Sequence, residues 1–331
     1  MIANAESWGP TGVLLINLGT PEAPTPRYLR RYLREFLGDP FVDLGPPKPV
    51  WWLILNLIVL PFRPRKSAAM YERVWTKEGS PLTIFSKRQQ QALAARLGDG
   101  FRVEFGYRYG EPSMATAIAR LNQEGCRRVV ALPLYPQDSS AGYGTSVWDL
   151  ERIVDGWAGE DRPDVDVLPP FYDHPGYIQA LAETIRDAAR DKEIDHYVFS
   201  YHGLPESFVE RGEPYDKHCE ATSEALAAEL GLDPGDWTHA YQSKFGRAEW
   251  LKPATANVVA ELGAVHRRIL VATPGFPADC LETIEEIGML AVDTFREHGG
   301  DELILAPALN DSRKWVEVMA AMVREPVGAS R

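Results

Sequence analysis

The sequence has only three cysteines, and no two of them form a C-x-x-C motif: Cys126, Cys219 and Cys280. Such a sparse set of cysteines argues against a disulfide framework and favours a reducing compartment. We therefore expect a cytoplasmic protein. Residues 1–10 lack the basic and then apolar layout of a signal peptide. No G-x-x-x-x-G-K-[ST] motif occurs, and no G-x-G-x-x-G motif follows a predicted strand, so nucleotide chemistry has no support.

Positive charge is also scarce. The 331 residues include 35 Lys and Arg against 47 Asp and Glu, a formal net charge of −12. Because phosphate backbones are bound by clustered Lys and Arg, nucleic acid is excluded as the main partner. Hydrophobic residues make up 45% and charged residues 25% of the chain, which is ordinary for a globular protein, and the length suits two domains.

One apolar stretch departs from this average. Residues 50–60 include two adjacent tryptophans but are too few to span a membrane, which takes roughly 20. Prolines precede the stretch, and Arg63, Arg65 and Lys66 follow it. A buried core helix would explain it. A surface segment, here called the lip (residues 46–66), would also fit, if it covered an apolar ligand or touched the inner membrane face peripherally.

Strands and helices alternate along the chain, which predicts parallel βαβ units. Two pairs of segments recur in the same order. Residues 19–22 echo residues 203–206, and residues 127–136 echo residues 267–277, with one extra residue in the later copy. The sequence therefore predicts an α/β protein of two related halves, with parallel sheets flanked by helices, that arose by internal duplication.

The strand-forming run at 197–201 leads into His202, and Gly203 and Pro205 then end the strand. In open α/β sheets the ligand binds at the carboxyl ends of strands, so this imidazole is a candidate for a binding crevice. A hydrogen-bonded histidine that closes a turn is the alternative. The equivalent position in the first half is Leu18, so only the second half carries a polar group there.

A second candidate group follows the predicted strand at 269–272. A Pro/Gly loop leads into an acidic helix, in which Glu282 and Glu286 are four residues apart and share one face. These carboxylates could simply be stabilised by the helix dipole on a solvated surface. Beside His202 at the same sheet edge, they could instead bind a divalent transition metal transiently and move protons.

Three further runs mix flat rings with Arg, Gln, Ser or Lys, at 105–110, 134–137 and 241–250. Each alone fits core packing beside a surface arginine. Together they are what a large planar ligand with carboxylate tails requires.

Eight motifs, taken in order, resemble the ferrochelatase family over nearly the whole chain. They are N-L-G-T-P-E (17–22), Y-L-R-R-Y-L-R-E-F-L-G-D-P (28–40), Y-R-Y-G (107–110), L-Y-P-Q (134–137), S-Y-H-G-L-P (200–205), R-G-E-P-Y (211–215), Y-Q-S-K-F-G (241–246) and P-G-F-P-A-D-C-L-E-T (274–283). The resemblance implies two Rossmann-like, chelatase-type domains with a porphyrin in the cleft between them. We place the first at 1–175, including the lip, and the second at 176–331, with room for the chain ends to cross over.

The resemblance also implies an activity, that of a lyase that inserts Fe²⁺ into protoporphyrin IX and releases two protons in the last step of haem b biosynthesis. It assigns His202, Glu282 and Glu286 to catalysis, with His202 and Glu282 as metal ligands. The positions that line or approach the macrocycle are Leu18, Arg108, Tyr109, Tyr135 and Trp250.

The substrate branch and the rival functions are separate questions. In the coproporphyrin-using branch the position of Leu18 tends to be Tyr, so Leu18 and the apolar lip favour protoporphyrin IX. Insertion into coproporphyrin III or sirohydrochlorin, and a non-enzymatic porphyrin or haem carrier, are the alternatives.

Iron is a substrate here, and no resident cofactor is expected. Family members with an iron–sulfur cluster often carry several cysteines in a C-terminal extension, so a chain without a cysteine after Cys280 is expected to hold no cluster. The oligomeric state has no sequence signal.

Overall fold

Two parallel sheets organise the chain. The computed structural model describes residues 9–42, 46–159, 161–244, 246 and 248–325, and within them eight strands pair in two groups of four. The first sheet has the order β2-β1-β3-β4 and the second the order β6-β5-β7-β8, so both halves share one topology. The predicted α/β fold with two related halves is confirmed. The strands are β1 (Thr11–Gly19), β2 (Phe101–Tyr109), β3 (Arg128–Pro133), β4 (Asp164–Val167), β5 (His196–His202), β6 (Trp237–Gln242), β7 (Arg268–Ala272) and β8 (Glu302–Leu305).

Helices flank both sheets. The helix that follows the first turn begins at a proline and ends at a glycine, and α4 is capped by Ser80, whose hydroxyl accepts a hydrogen bond from the Thr83 amide at 3.2 Å. The helices are α1 (Pro26–Leu37), α2 (Lys48–Ile54), α3 (Leu60–Val74), α4 (Pro81–Leu97), α5 (Met114–Gln123), α6 (Thr145–Asp155), α7 (Pro175–Ala188), α8 (Glu206–Glu210), α9 (Tyr215–Leu230), α10 (Thr255–Gly263), α11 (Val292–Glu297) and α12 (Arg313–Arg324).

Within the described residues, three segments wind as π-helix: Leu55–Val59, Ser140–Gly144 and Glu282–Ala291. The last is the predicted acidic helix, whose type therefore differs from the expectation of an ordinary α-helix. A π-helix is rare and concentrates at functional sites, and periodicity in the sequence does not reveal it.

One apolar cluster contains side chains from both sheets. Leu15 and Tyr107 come from the first sheet, Phe199 and Tyr201 from the second, and Trp315 from α12, all at most 1% exposed. Helix α12 packs on α4 and α7, so the chain returns to the first half after completing the second sheet. The proposed boundary between residues 175 and 176 stays a prediction.

The lip is not a buried core helix. It comprises α2, the π-helical segment Leu55–Val59 and the start of α3, and only some of its apolar residues, such as Leu55 and Leu60, are buried against the first half. Six others are 47–73% exposed: Val50, Trp52, Leu53, Leu57, Ile58 and Phe62. Among the helices that the structure describes, none combines the length and apolar character needed to cross a bilayer.

A buried histidine makes the stability of the second half depend on pH. His239 in β6 bonds through Nδ1 to the Ser223 hydroxyl at 2.9 Å, and its Nε2 is buried without a hydrogen-bond partner among the described residues. Burial lowers its pKa to about 4. In the unfolded chain the pKa of a histidine is about 6.5, so the unfolded state binds the proton more tightly than the folded state does. Lowering the pH from about 6.5 to about 4 should therefore reduce the free energy of unfolding by about 3 kcal/mol.

We expect His239→Gln to flatten this part of the stability curve, measured by urea unfolding at several pH values. The exposed His298→Gln should keep the wild-type slope. Equal slopes in all three proteins would show that His239 does not titrate on unfolding.

Candidate active site

The carboxyl end of the second sheet carries the histidine that the sequence singled out. His202 is the last residue of β5, half-buried, and its Nδ1 lies 2.7 Å from the Gly203 carbonyl oxygen. A carbonyl can only accept, so this nitrogen donates, and the neutral ring keeps its lone pair on Nε2. The His202 carbonyl itself accepts a hydrogen bond from the Tyr215 hydroxyl at 2.7 Å. The imidazole is thus held in the orientation and tautomer that a base or a metal ligand needs.

Gln242 connects this strand end to the first predicted carboxylate. It is the register partner of His202 across the β5–β6 pair. Its side-chain oxygen accepts a hydrogen bond from the Ser200 hydroxyl at 2.8 Å, and its amide nitrogen donates to the Glu282 carbonyl oxygen at 2.8 Å. The start of the π-helical segment is therefore fixed to β6, the strand that pairs with the one ending in His202.

Ser243 holds the second carboxylate. Its backbone amide and its hydroxyl each donate to Glu286, to different carboxylate oxygens, both at 2.6 Å. Ser243 has φ of 67°, in the left-handed region that non-glycine residues rarely adopt. Such strain persists only where surrounding contacts enforce it, and it is frequent at functional sites. The structure thus places the Glu282 backbone and the Glu286 carboxylate at the end of β6, the strand that pairs with the one ending in His202.

The loop before Glu282 is fixed by its own polar network. The Asp279 carboxylate accepts from the Thr283 hydroxyl at 2.8 Å and from the Asn310 side-chain amide at 2.7 Å. From the first half, the fully buried Gln89 donates to the carbonyl oxygens of Pro277 and Asn310 at 3.1 and 2.8 Å. These bonds place the π-helical segment relative to both halves.

Tyrosines of the first half lie near Glu282. Burial raises the pKa of the Tyr71 hydroxyl well above its usual value, and the charge of Glu282 raises it further. Burial also raises the pKa of the Tyr32 hydroxyl well above its usual value, and the charges of Tyr71 and Glu282 raise it further. Helices α1 and α3 therefore lie within electrostatic reach of the candidate carboxylate, in the interior of the protein.

Arg108 and Tyr109, two of the predicted macrocycle residues, both bind one buried carboxylate within the protein, that of Asp39. The guanidinium of Arg108 donates to Asp39 and to the Thr145 hydroxyl, the latter at 2.9 Å. The Tyr109 and Thr145 hydroxyls both donate to Asp39 at 2.9 Å. The Asp39 side chain is 1% exposed and that of Arg108 12%. Asp39 and Thr145 are not among the site residues predicted from the sequence, although Asp39 belongs to the G-D-P motif at the end of α1.

The remaining predicted residues line the same region. Leu18 is half-buried in an apolar cluster that includes the lip residue Trp51 and Leu281, the neighbour of Glu282. Tyr135 is half-buried, and its hydroxyl accepts a hydrogen bond from the Ser146 hydroxyl at 3.2 Å.

Trp250 is 6% exposed and packs on the turn after His202. A Cβ atom at Gly203 would lie 3.1 Å from the indole and 2.8 Å from the Gln242 carbonyl oxygen, so only glycine fits there. Phe245, from the motif that includes Gln242, lies outside the described residues.

A resident metal site of the usual kind does not form around these groups. Across the part of the chain that the structure describes, no three or more His, Cys, Asp or Glu side chains are arranged to hold a metal ion. An ion bound by His202 and Glu282 would therefore keep ligands from solvent or substrate, as suits transient binding. The three cysteines are free, buried and in different apolar clusters. The expectation that no cofactor is resident stays a prediction.

Comparison with known proteins identifies the family. The family model described as ferrochelatase matches residues 10–327. A ferrochelatase of Thioalkalivibrio sulfidiphilus is 44% identical over 94% of this chain and 85% of its own length. Ferrochelatases of Chromobacterium violaceum and Alcanivorax borkumensis are each 43% identical over 95% of this chain and 87% and 93% of theirs. The chain belongs to the ferrochelatase family.

Solved structures show the same fold at low identity. SirB of Bacillus subtilis, solved with Fe³⁺, superposes with a TM-score of 0.58 at 9% identity, over 96% of this chain and 95% of that one. A multi-domain protein of Deinococcus radiodurans with structural similarity to chelatases gives 0.54 at 14% identity, over 96% and 55%. For this ferrochelatase family member, these matches confirm the predicted chelatase-type architecture.

Proposed function

We propose that the protein inserts Fe²⁺ into protoporphyrin IX to give protohaem and two protons, the last step of haem b biosynthesis. Metal insertion into a porphyrin is the reaction that names its family. One observation carries the assignment of residues. At the carboxyl end of the second sheet, the Gly203 carbonyl oxygen fixes the His202 ring. Gln242 fixes the Glu282 backbone, and Ser243 fixes the Glu286 carboxylate.

The reaction makes three physical demands. The free porphyrin holds two N–H protons at its centre, so it must be bent to expose nitrogen lone pairs, it must lose both protons, and Fe²⁺ must lose water. The Nε2 of a neutral His202 can accept a pyrrole proton near neutral pH. Glu282 and Glu286 can accept protons or replace water on the metal. Enclosure by Tyr135, Trp250 and the lip can hold the bent ring through binding energy remote from the metal.

Protoporphyrin IX is the substrate that the described surface favours. Sirohydrochlorin carries many carboxylates and requires many free cationic donors, whereas Arg108 is bound to Asp39. The apolar lip suits a less polar porphyrin, and Leu18 beside Trp51 extends that apolar surface. Coproporphyrin III and a non-enzymatic haem carrier remain the alternatives to test.

Anaerobic insertion assays with Fe²⁺ test the substrate directly. Protoporphyrin IX in mild detergent, coproporphyrin III and sirohydrochlorin are followed in parallel by absorbance, and we expect the highest kcat/KM for protoporphyrin IX. Faster insertion into either of the other two substrates would overturn the substrate assignment. Tight porphyrin binding without turnover on all three would identify a carrier.

Glu282→Gln should lower the rate of metal insertion by about 100-fold, because the amide can neither accept a proton nor replace water on the metal as a carboxylate does. Gln keeps the shape of the side chain, and the bond that fixes this position uses the backbone carbonyl, so the fold should be retained. Steady-state kinetics at several Fe²⁺ concentrations measure the effect. Glu297→Gln, on the exposed end of α11, is the control. A wild-type rate for Glu282→Gln would leave this carboxylate with a helix-capping role only.

We propose further that the lip contacts an anionic membrane surface peripherally. Its exposed apolar side chains are flanked by exposed Lys48, Arg65 and Lys66, which together suit a lipid interface. The double variant Trp52→Ser, Phe62→Ser should reduce the fraction bound to anionic vesicles by about tenfold or more, since both side chains are more than half exposed. Vesicle sedimentation measures this. Val265→Ser, which removes a 74% exposed apolar side chain outside the lip, should bind as wild type does. Equal binding of all three proteins would rule out the lip as the contact.

A further inference from the structure

An ion pair joins the helix that leaves the lip to the segment that carries the candidate carboxylates. Arg73 lies in the last turn of α3, and its Nη1 is 2.8 Å from Glu285 Oε1. The two residues are 212 positions apart in the chain. Helix α3 begins within the lip at Leu60, so the pair connects the lip, through one continuous helix, to the second half.

Glu285 is unusual because it is buried. Its side chain is 2% exposed, whereas that of Arg73 is 45% exposed. Its second oxygen, Oε2, is buried without a hydrogen-bond partner among the described residues. A buried carboxylate held by one partner depends strongly on that partner, because without it the charge would be left uncompensated in the interior.

The position of Glu285 in the chain gives the pair its significance. Glu285 directly precedes Glu286 and follows Glu282 by three residues, within the same π-helical segment. Two other fixed points of that segment belong to the second half: Gln242 holds the Glu282 backbone and Ser243 holds the Glu286 carboxylate. Arg73 supplies a fixed point from the lip side.

We propose that Arg73 and Glu285 are positioning residues that make the placement of Glu282 and Glu286 depend on the placement of the lip. A lip seated on the porphyrin holds α3, and α3 holds the π-helical segment through this pair, so the carboxylates reach their working positions when the ring is covered. This inference rests on the proposed function.

The test compares four variants. Arg73→Met removes the partner, Glu285→Met removes the buried charge, the double variant removes both, and Arg73→Lys keeps the charge. Glu72→Gln, at an exposed position of the same helix outside the lip, is the matched control. The double variant is needed because an apolar pair can replace a buried ion pair without loss of stability, whereas either single variant can be unstable.

For a positioning role we expect Arg73→Met and the double variant to lower kcat on the order of tenfold, with porphyrin affinity unchanged and Glu72→Gln as wild type. Arg73→Lys should recover most of kcat. A double variant with wild-type kcat would overturn the proposal, because the pair would then serve only its own stability.

Amide hydrogen exchange over residues 282–291 provides a second measurement that needs no activity. It should be faster in Arg73→Met than in Glu72→Gln while exchange in β5 is unchanged. Equal exchange would contradict the coupling. A wild-type protein that inserts no metal would overturn the proposed function, and the exchange measurement would still decide whether the lip is coupled to this segment.

Discussion

His202→Ala is expected to lower metal insertion by about 10³-fold while porphyrin binding survives. General acid–base groups contribute about 10²–10⁴-fold to their reactions, and the described site has one histidine at the end of β5 to accept the pyrrole protons. The Gly203 carbonyl fixes the ring so that Nε2 carries the lone pair. The loss should therefore appear in kcat, with little change in the porphyrin dissociation constant. Single-turnover insertion and fluorescence quenching of the bound porphyrin measure the two separately.

His298→Ala is the control for this experiment, because His298 is exposed at the end of α11 and makes only a local bond to the Thr294 carbonyl oxygen. A folded His202→Ala protein that retains turnover would remove His202 from the mechanism. A variant that loses porphyrin binding as well would show that the imidazole contributes to the shape of the cleft rather than to proton transfer.

Arg108→Ala is expected to destabilise the protein by about 3–5 kcal/mol, because it leaves the buried carboxylate of Asp39 without its cation. The guanidinium also lies 4.7 Å from the centre of the Tyr109 ring, an attraction that would be lost. Urea unfolding measures the change. Arg31→Ala breaks an ion pair with Glu22 in which both side chains are exposed, and should cost at most about 1 kcal/mol.

The double variant Arg108→Met, Asp39→Leu separates the two roles that Arg108 could have. If Arg108 positions the chain as it leaves α1, the double variant should recover much of the lost stability, because no buried charge is left uncompensated. If Arg108 instead binds porphyrin carboxylates, the single variant should be nearly as stable as wild type and weak in porphyrin affinity. The hydrogen bonds to Asp39 and Thr145 favour the first result.

Local patterns in the sequence predicted the sheets and the position of His202 at the end of a strand. Residues 13–16 of β1 are buried on both faces of the sheet, as is usual for parallel strands with helices on each side. His202 was found because a strand-forming run ended in a polar residue followed by glycine and proline. Parallel strands bring their carboxyl ends to one edge, which is why Gln242, which bonds to the Glu282 carbonyl oxygen, pairs with His202 there.

The features that the sequence did not reveal depend on long-range contacts or on subtle backbone geometry. Asp39 and Arg108 are 69 positions apart, and nothing local indicates that they pair. Glu282 and Glu286 share a face in an α-helix and in the looser π-helix, so their spacing could not tell the two apart. The hydrogen bonds of Ser243 depend on a left-handed backbone that serine seldom adopts.

The return of α12 to the first half has a consequence for the order in which a nascent chain can fold. Trp315 on this helix is fully buried in the cluster shared by both sheets, and Arg324 donates to the carbonyl oxygens of Arg96 and Leu97 at the end of α4. A ribosome-bound chain that has completed the first sheet therefore still lacks the helix that covers α4. The apolar surface of the first half stays exposed to chaperones until residues 313–324 have left the ribosome. Native packing of the first half is completed only then.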